Sequence, residues 1–175
     1  MGDMLVFVYG TLQTGYRNNA SVVRGRAASL GAATLAGARL VHYPAGFPGA
    51  YRAEDPGMLL HGELLQVPAE HAASVLRDMD MLEDYHGPGH PANLYSREEV
   101  LVTLPNGSTR QASIYFSLLN EAQERAVPVP SGDWRAFMQA QALEDVGEDW
   151  AAKPPPAPAP AAAGGQQREG GSPSK

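Results

Sequence analysis

A chain of 175 residues, 43% of them hydrophobic and none of them cysteine, suits one compact domain and excludes disulfides, cysteine nucleophiles and thiolate zinc sites. The formal net charge is -6, and residues 1–150 hold 10 arginines against 18 acidic residues, because both lysines, Lys153 and Lys175, lie beyond them. An acidic body repels phosphate backbones, which argues against a nucleic-acid partner, and a lysine-free body excludes Schiff-base and P-loop lysine chemistry there.

The opening Met1-Gly2-Asp3-Met4 has no basic region or cleavage site, and no apolar run reaches the roughly 18 residues of a membrane span. The expectation is a soluble, cytoplasmic chain with no membrane partner. Residues 4–9 are continuously apolar and stop at Gly10, the pattern of a central strand buried on both faces. A loop with two glycines follows over residues 10–15, then a short polar stretch around Arg17-Asn18-Asn19. Residues 34–42 and 61–67 read as further strands, separated by a Gly- and Pro-rich surface excursion over residues 44–57.

Residues 68–85 predict a helix. Pro68 suits its first turn, Glu70 the positive end of its dipole, and Ala72, Val75, Leu76, Met79 and Leu82 recur at helical spacing before Gly87 and Pro88 stop it. Between residues 94 and 117 two apolar-rich runs flank Pro105-Asn106-Gly107-Ser108, a hairpin turn signal. A last helix is expected from Ser131 as N-cap, burying Trp134, Phe137 and Met138. The domain is expected over residues 1–149. Residues 150–175, rich in Ala, Pro and Gly, read as a disordered tail. Strands outnumber helices without regular alternation, so the fold class is α+β: a mixed curled sheet or small β-barrel with a few flanking helices.

Two places could carry chemistry. Glu83 follows Leu76 by seven residues and Met79 by four, so its carboxylate leaves the helix on the apolar stripe. Partial desolvation and the negative end of the dipole would both raise its pKa towards neutrality, as a general acid/base requires. The competing reading is a frayed helix end pointing into water. Backbone N–H groups of Gly10-Thr11-Leu12, at the end of a central strand, could bind a carboxylate or a developing oxyanion; the competing reading is an ordinary turn. His86 and His90 are four apart, but Gly87, Pro88 and Gly89 between them preclude a helical metal face, and no metal or cofactor is expected.

Together these pieces resemble the gamma-glutamylcyclotransferase family, in the small version that includes the gamma-glutamylamine cyclotransferases. The likeness runs from Val6-Phe7-Val8-Tyr9-Gly10-Thr11-Leu12 through Asn18-Asn19, Tyr43-Pro44, Met79-Asp80-Met81-Leu82-Glu83 and Leu94-Tyr95-Ser96-Arg97 to Pro130-Ser131-Gly132-Asp133-Trp134. It implies that Tyr9, Gly10, Thr11 and Leu12 cradle the substrate, that Glu83 is the catalyst and that Tyr115 walls the pocket. The implied activity is a transferase or lyase acting on a small-molecule gamma-glutamyl amide. Its own alpha-amine closes on the gamma-carbonyl, releasing 5-oxoproline and an amine. Removal of a gamma-glutamyl protecting group in a biosynthetic pathway uses the same chemistry, and a non-catalytic binding module of the same fold is the alternative.

Overall fold

A computed structural model of the chain describes residues 2–141, so the expected tail and the end of the domain near Asp149 lie outside the described residues. The first strand, β1 (Met4–Val8), has a neighbour on each side. It runs antiparallel to β5 (Leu59–Val67), from Met4 opposite Val67 to Val8 opposite Glu63, and parallel to β7 (Thr109–Ser117), where Val6 faces Ser113. β2 (Ala28–Ala36) pairs with β5 and touches β6 (Tyr95–Thr103) at Thr34 and Thr103. β6 and β7 form the expected hairpin, with Tyr95 opposite Ser117 and Thr103 opposite Thr109. The five strands close into a barrel in the order β1-β5-β2-β6-β7. A register shift between Ser29 and Ala32 interrupts the β2–β5 ladder, the kind of bulge that bends a strand.

The stretch expected as one strand over residues 34–42 is two strands. The left-handed backbone of Gly37 (φ 69°) separates β2 from β3 (Ala38–Tyr43) and turns the chain out of the barrel. The excursion expected over residues 44–57 is also corrected. Its centre is β4 (Phe47–Arg52), with Pro48, Gly49 and Ala50 buried, and β3 lies between β4 and β8 (Val127–Val129) in a second sheet. Residues 18 and 19 lead into a π-helical turn, Asn19–Val23, whose Val22 and Val23 are buried.

β1 explains why its sequence is apolar throughout. With a side-chain period of two, Phe7 and Tyr9 enter the cluster with Leu60, Leu64, Ile114 and Trp134, while Val6 and Val8 enter a second cluster. That second cluster is completed by Val75, Met79 and Leu82 of helix α1 (Ala69–Leu82). Burying such side chains stabilises the packing by about 1.5–3 kcal/mol each. Helix α2 (Trp134–Ala140) buries Trp134 and Met138, and its N-cap is Asp133, whose Oδ1 accepts from Ala136 N at 2.9 Å. Ser131, expected as the cap, instead accepts from Asp133 N at 3.3 Å, one step before the helix. Among the described residues no helix is long and apolar enough to cross a membrane.

Candidate active site

β1 delivers Tyr9-Gly10-Thr11-Leu12 to one end of the barrel. The Tyr9 ring is buried, and its hydroxyl donates to the Tyr115 carbonyl at 2.8 Å while accepting from Ala50 N at 3.2 Å. This ties the end of β1 to β7 and β4. At Gly10 any Cβ would stand 2.4 Å from Pro48 Cγ, so only glycine lets the loop lie against β4. The carbonyls of the loop are spent inside the protein: Gly10 O accepts from Gln13 N (3.0 Å), Thr11 O from Asn19 N (3.2 Å) and Leu12 O from Asn19 Nδ2 (2.8 Å). Among the described residues, no carbonyl accepts from the N–H groups of Gly10, Thr11 or Leu12.

The second half of the site is the C-terminus of α1. Val75 and Met79 are wholly buried and fix the rotation of the helix about its axis. Its last turn closes with Glu83 N donating to Met79 O at 3.0 Å; Asp84 then takes a left-handed conformation (φ 47°) and the chain leaves. The helix therefore ends at Leu82, before the expected Tyr85, because Asp84 reverses the backbone ahead of Gly87 and Pro88. Asp80 anchors this turn, accepting from Arg97 Nη1 at 2.5 Å on both oxygens and from the Tyr115 hydroxyl at 2.5 Å. The Arg97 guanidinium also lies over the Tyr85 ring, 4.9 Å from its centre. Asp80 and Arg97 stand within motifs of the resemblance, but the sequence reading gave them no role. Asp80, on α1 three residues before Glu83, carries a spacing signal; its partner on β6 carries none.

Between these halves lies a cavity of about 180 Å³. Tyr9, Gly10, Thr11, Leu12, Glu83 and Tyr115, all singled out from the sequence, line it together. Pro48, Tyr95, Leu94 and Asn18 are among its other walls; Pro48 belongs to the stretch expected at the surface, and Tyr95 donates to its carbonyl at 3.0 Å. Glu83 is half-buried. Burial, then the charge of Glu83, holds the Tyr9 hydroxyl well above the usual phenol range. Burial, then Tyr9 and Glu83, does the same to Tyr95. Tyr115 is raised by burial and by its bond to Asp80. The phenols are thus fixed as hydrogen-bond donors, unable to serve as bases near neutral pH. Among the described residues the lining carries two carboxylates, Glu83 and Asp84, and neither histidine nor serine.

His86 and His90 lie outside this cavity with ring centres 5.0 Å apart, and among the described residues no group of three or more His, Asp or Glu is placed to hold a metal ion.

Residues 6–136 match the family described as gamma-glutamyl cyclotransferase, AIG2-like. The chain belongs to this family. It is 35% identical over 103 residues to the gamma-L-glutamyl-butirosin B gamma-glutamyl cyclotransferase of Niallia circulans, a match covering 59% of this chain and 60% of that protein. The chain thus spans less than two thirds of that relative's length. Among solved structures, an AIG2-like protein from Mus musculus superposes with a TM-score of 0.57 at 23% identity, over 75% of this chain and 88% of that one. A protein from Pyrococcus horikoshii gives 0.55 at 21%, over 79% and 96%. A chain titled gamma-glutamyl cyclotransferase gives 0.54 at 18%, over 83% and 92%. These three likenesses are likenesses of fold, and the α+β barrel with flanking helices is the fold of the gamma-glutamyl cyclotransferases.

Proposed function

We propose that the protein is a cyclotransferase that cleaves a gamma-glutamyl amide by attack of its own alpha-amine. The cavity, at about 180 Å³, is smaller than the roughly 300–1,000 Å³ of sites that swallow a drug-sized ligand. It suits one end of a substrate, the gamma-glutamyl group, with the amine outside. Glu83 takes a proton from the alpha-ammonium, and the freed nitrogen closes on the gamma-carbon. The N–H groups of Gly10, Thr11 and Leu12 receive the oxyanion. As the carbon–nitrogen bond to the amine breaks, Glu83 passes this proton to the departing nitrogen and then relays a second one from the attacking nitrogen, leaving the neutral lactam 5-oxoproline and the amine as its ammonium ion. The reaction is an acyl transfer within the substrate and asks for no nucleophile from the protein.

The observation that carries this reading is the meeting of Glu83 with the post-β1 loop in one cavity whose phenols are all held protonated. Asp84, the other lining carboxylate, also borders a cavity of about 520 Å³ beside Tyr85 and His86, and to this side we assign the amine of the substrate. The Niallia circulans relative acts, by its name, on a gamma-glutamyl-butirosin. Removal of a gamma-glutamyl protecting group in biosynthesis is accordingly the role we favour. The cysteine-free composition supports a cytoplasmic setting.

The test is incubation with gamma-glutamyl amines, gamma-glutamyl dipeptides and glutathione, scored for 5-oxoproline. Release from at least one of them is expected. Binding of 5-oxoproline with no turnover of any member would make the protein a binding module instead.

A further inference from the structure

Asn18 is 4% exposed and lines the same cavity as Glu83. Its side-chain nitrogen donates to Thr11 Oγ1 at 2.9 Å, which fixes the orientation of the amide. Its oxygen, Oδ1, is buried and has no donor among the described residues. A buried acceptor left without a donor is destabilising, and native proteins seldom leave one so unless something else supplies the hydrogen. The hydroxyls of the three tyrosines that line the same cavity are engaged within the protein: Tyr9 with Tyr115 and Ala50, Tyr95 with Pro48, Tyr115 with Asp80.

We infer that Asn18 Oδ1 accepts a hydrogen bond from the alpha-nitrogen of the gamma-glutamyl group, an inference that rests on the proposed cyclotransferase reading. The alpha-carboxylate and gamma-carbonyl of that group are acceptors only, and acceptors would repel Oδ1. The scissile nitrogen is a donor but leaves with the amine. The alpha-nitrogen is a donor throughout. As an ammonium it has three hydrogens, of which two end on the departing amine by way of Glu83 and one remains as the lactam N–H of 5-oxoproline. Asn18 holds the hydrogen that stays, which turns the nitrogen towards the gamma-carbon and leaves the transferable hydrogens to Glu83. Because Asn18 is bonded to Thr11, the same contact would set the cradle and the nucleophile in register.

Calorimetry with two ligands tests this: 5-oxoproline, and the lactone of the same shape in which a ring oxygen replaces the N–H. The native protein should bind the lactam at least about tenfold more tightly, the scale of one buried hydrogen bond against an unmatched acceptor. Asn18→Leu should bind the two equally within about twofold, and Asn18→Asp, which keeps an acceptor, should retain the preference. Equal binding of the two ligands by the native protein would overturn the inference. So would an undiminished preference in Asn18→Leu, or, if that variant does not fold, a lost preference in folded Asn18→Asp. A native protein that binds neither ligand and releases 5-oxoproline from no gamma-glutamyl amide would refute the cyclotransferase reading itself.

Discussion

The carboxylate at position 83 owes its place to hydrophobic packing: Val75, Met79 and Leu82 bury one stripe of α1, and Glu83 continues that stripe where the helix runs out. Glu83→Gln keeps the volume and removes the proton exchange. Unchanged thermal unfolding is expected, with 5-oxoproline release lowered at least about a hundredfold, the usual scale of a lost acid/base. Tyr9 has a different part. Tyr9→Phe strips a partner from both Ala50 N–H and the Tyr115 carbonyl, so urea denaturation should show a loss of about 1–3 kcal/mol. Glu83 was readable because helical period alone projects it onto the apolar stripe. Arg97 was not, since its bond to Asp80 spans 17 residues and joins a helix to a strand whose relative placement no local spacing encodes.

At the scale of elements, the site is a joint between the end of β1, β4 and the end of α1. Gly10→Ala drives a methyl into Pro48, and overpacking of this kind costs typically about 1–3 kcal/mol. Loss of 5-oxoproline affinity is expected alongside, read by calorimetry, since the loop must shift. The same loop is held from outside by Glu63 of β5, which accepts from Thr14 N at 2.7 Å and Thr14 Oγ1 at 2.6 Å. Burial pushes Glu63 up, but bonds from Ser29 and Thr14 and the charge of Arg135 outweigh it and hold the carboxyl below its ordinary 4.5. A depressed folded value means that this stabilisation is complete above pH 4.5 and is lost as pH falls through the lower value. Glu63→Gln should therefore flatten the acid limb of a pH–stability profile. β1, α1 and the β6–β7 hairpin were legible because their apolar periods are long and their ends carry glycine, proline or Asn-Gly. β4 was not, because Pro48 and Gly49 look like turn residues. In the fold Pro48 supports Gly10, and Gly49 makes room for the Tyr43 ring. Tertiary fit here overrides local propensity.

Across the whole molecule, the barrel and the three-stranded sheet are clamped by α2. Trp134, fully buried, donates from Nε1 to His42 Nδ1 of β3 at 3.1 Å. Burial pushes His42 below its ordinary 6.5, so the unfolded chain takes up a proton that the folded one resists. This contribution to stability is complete above pH 6.5 and declines as pH falls below it, and His42→Gln should remove that part of the slope in thermal melts. The general class, strands curled with helices outside, followed from strand count and irregular alternation; the closure did not, since nothing local in Val6 or Ser113 announces their pairing. That pairing has a kinetic corollary. β1 can meet β5 first, but its second mate, β7, arrives more than a hundred positions later during synthesis, and distant pairings of this kind slow folding relative to helical bundles. The cavity, which Tyr115 of β7 helps to wall, is consequently incomplete until the hairpin has emerged, so competence arrives late.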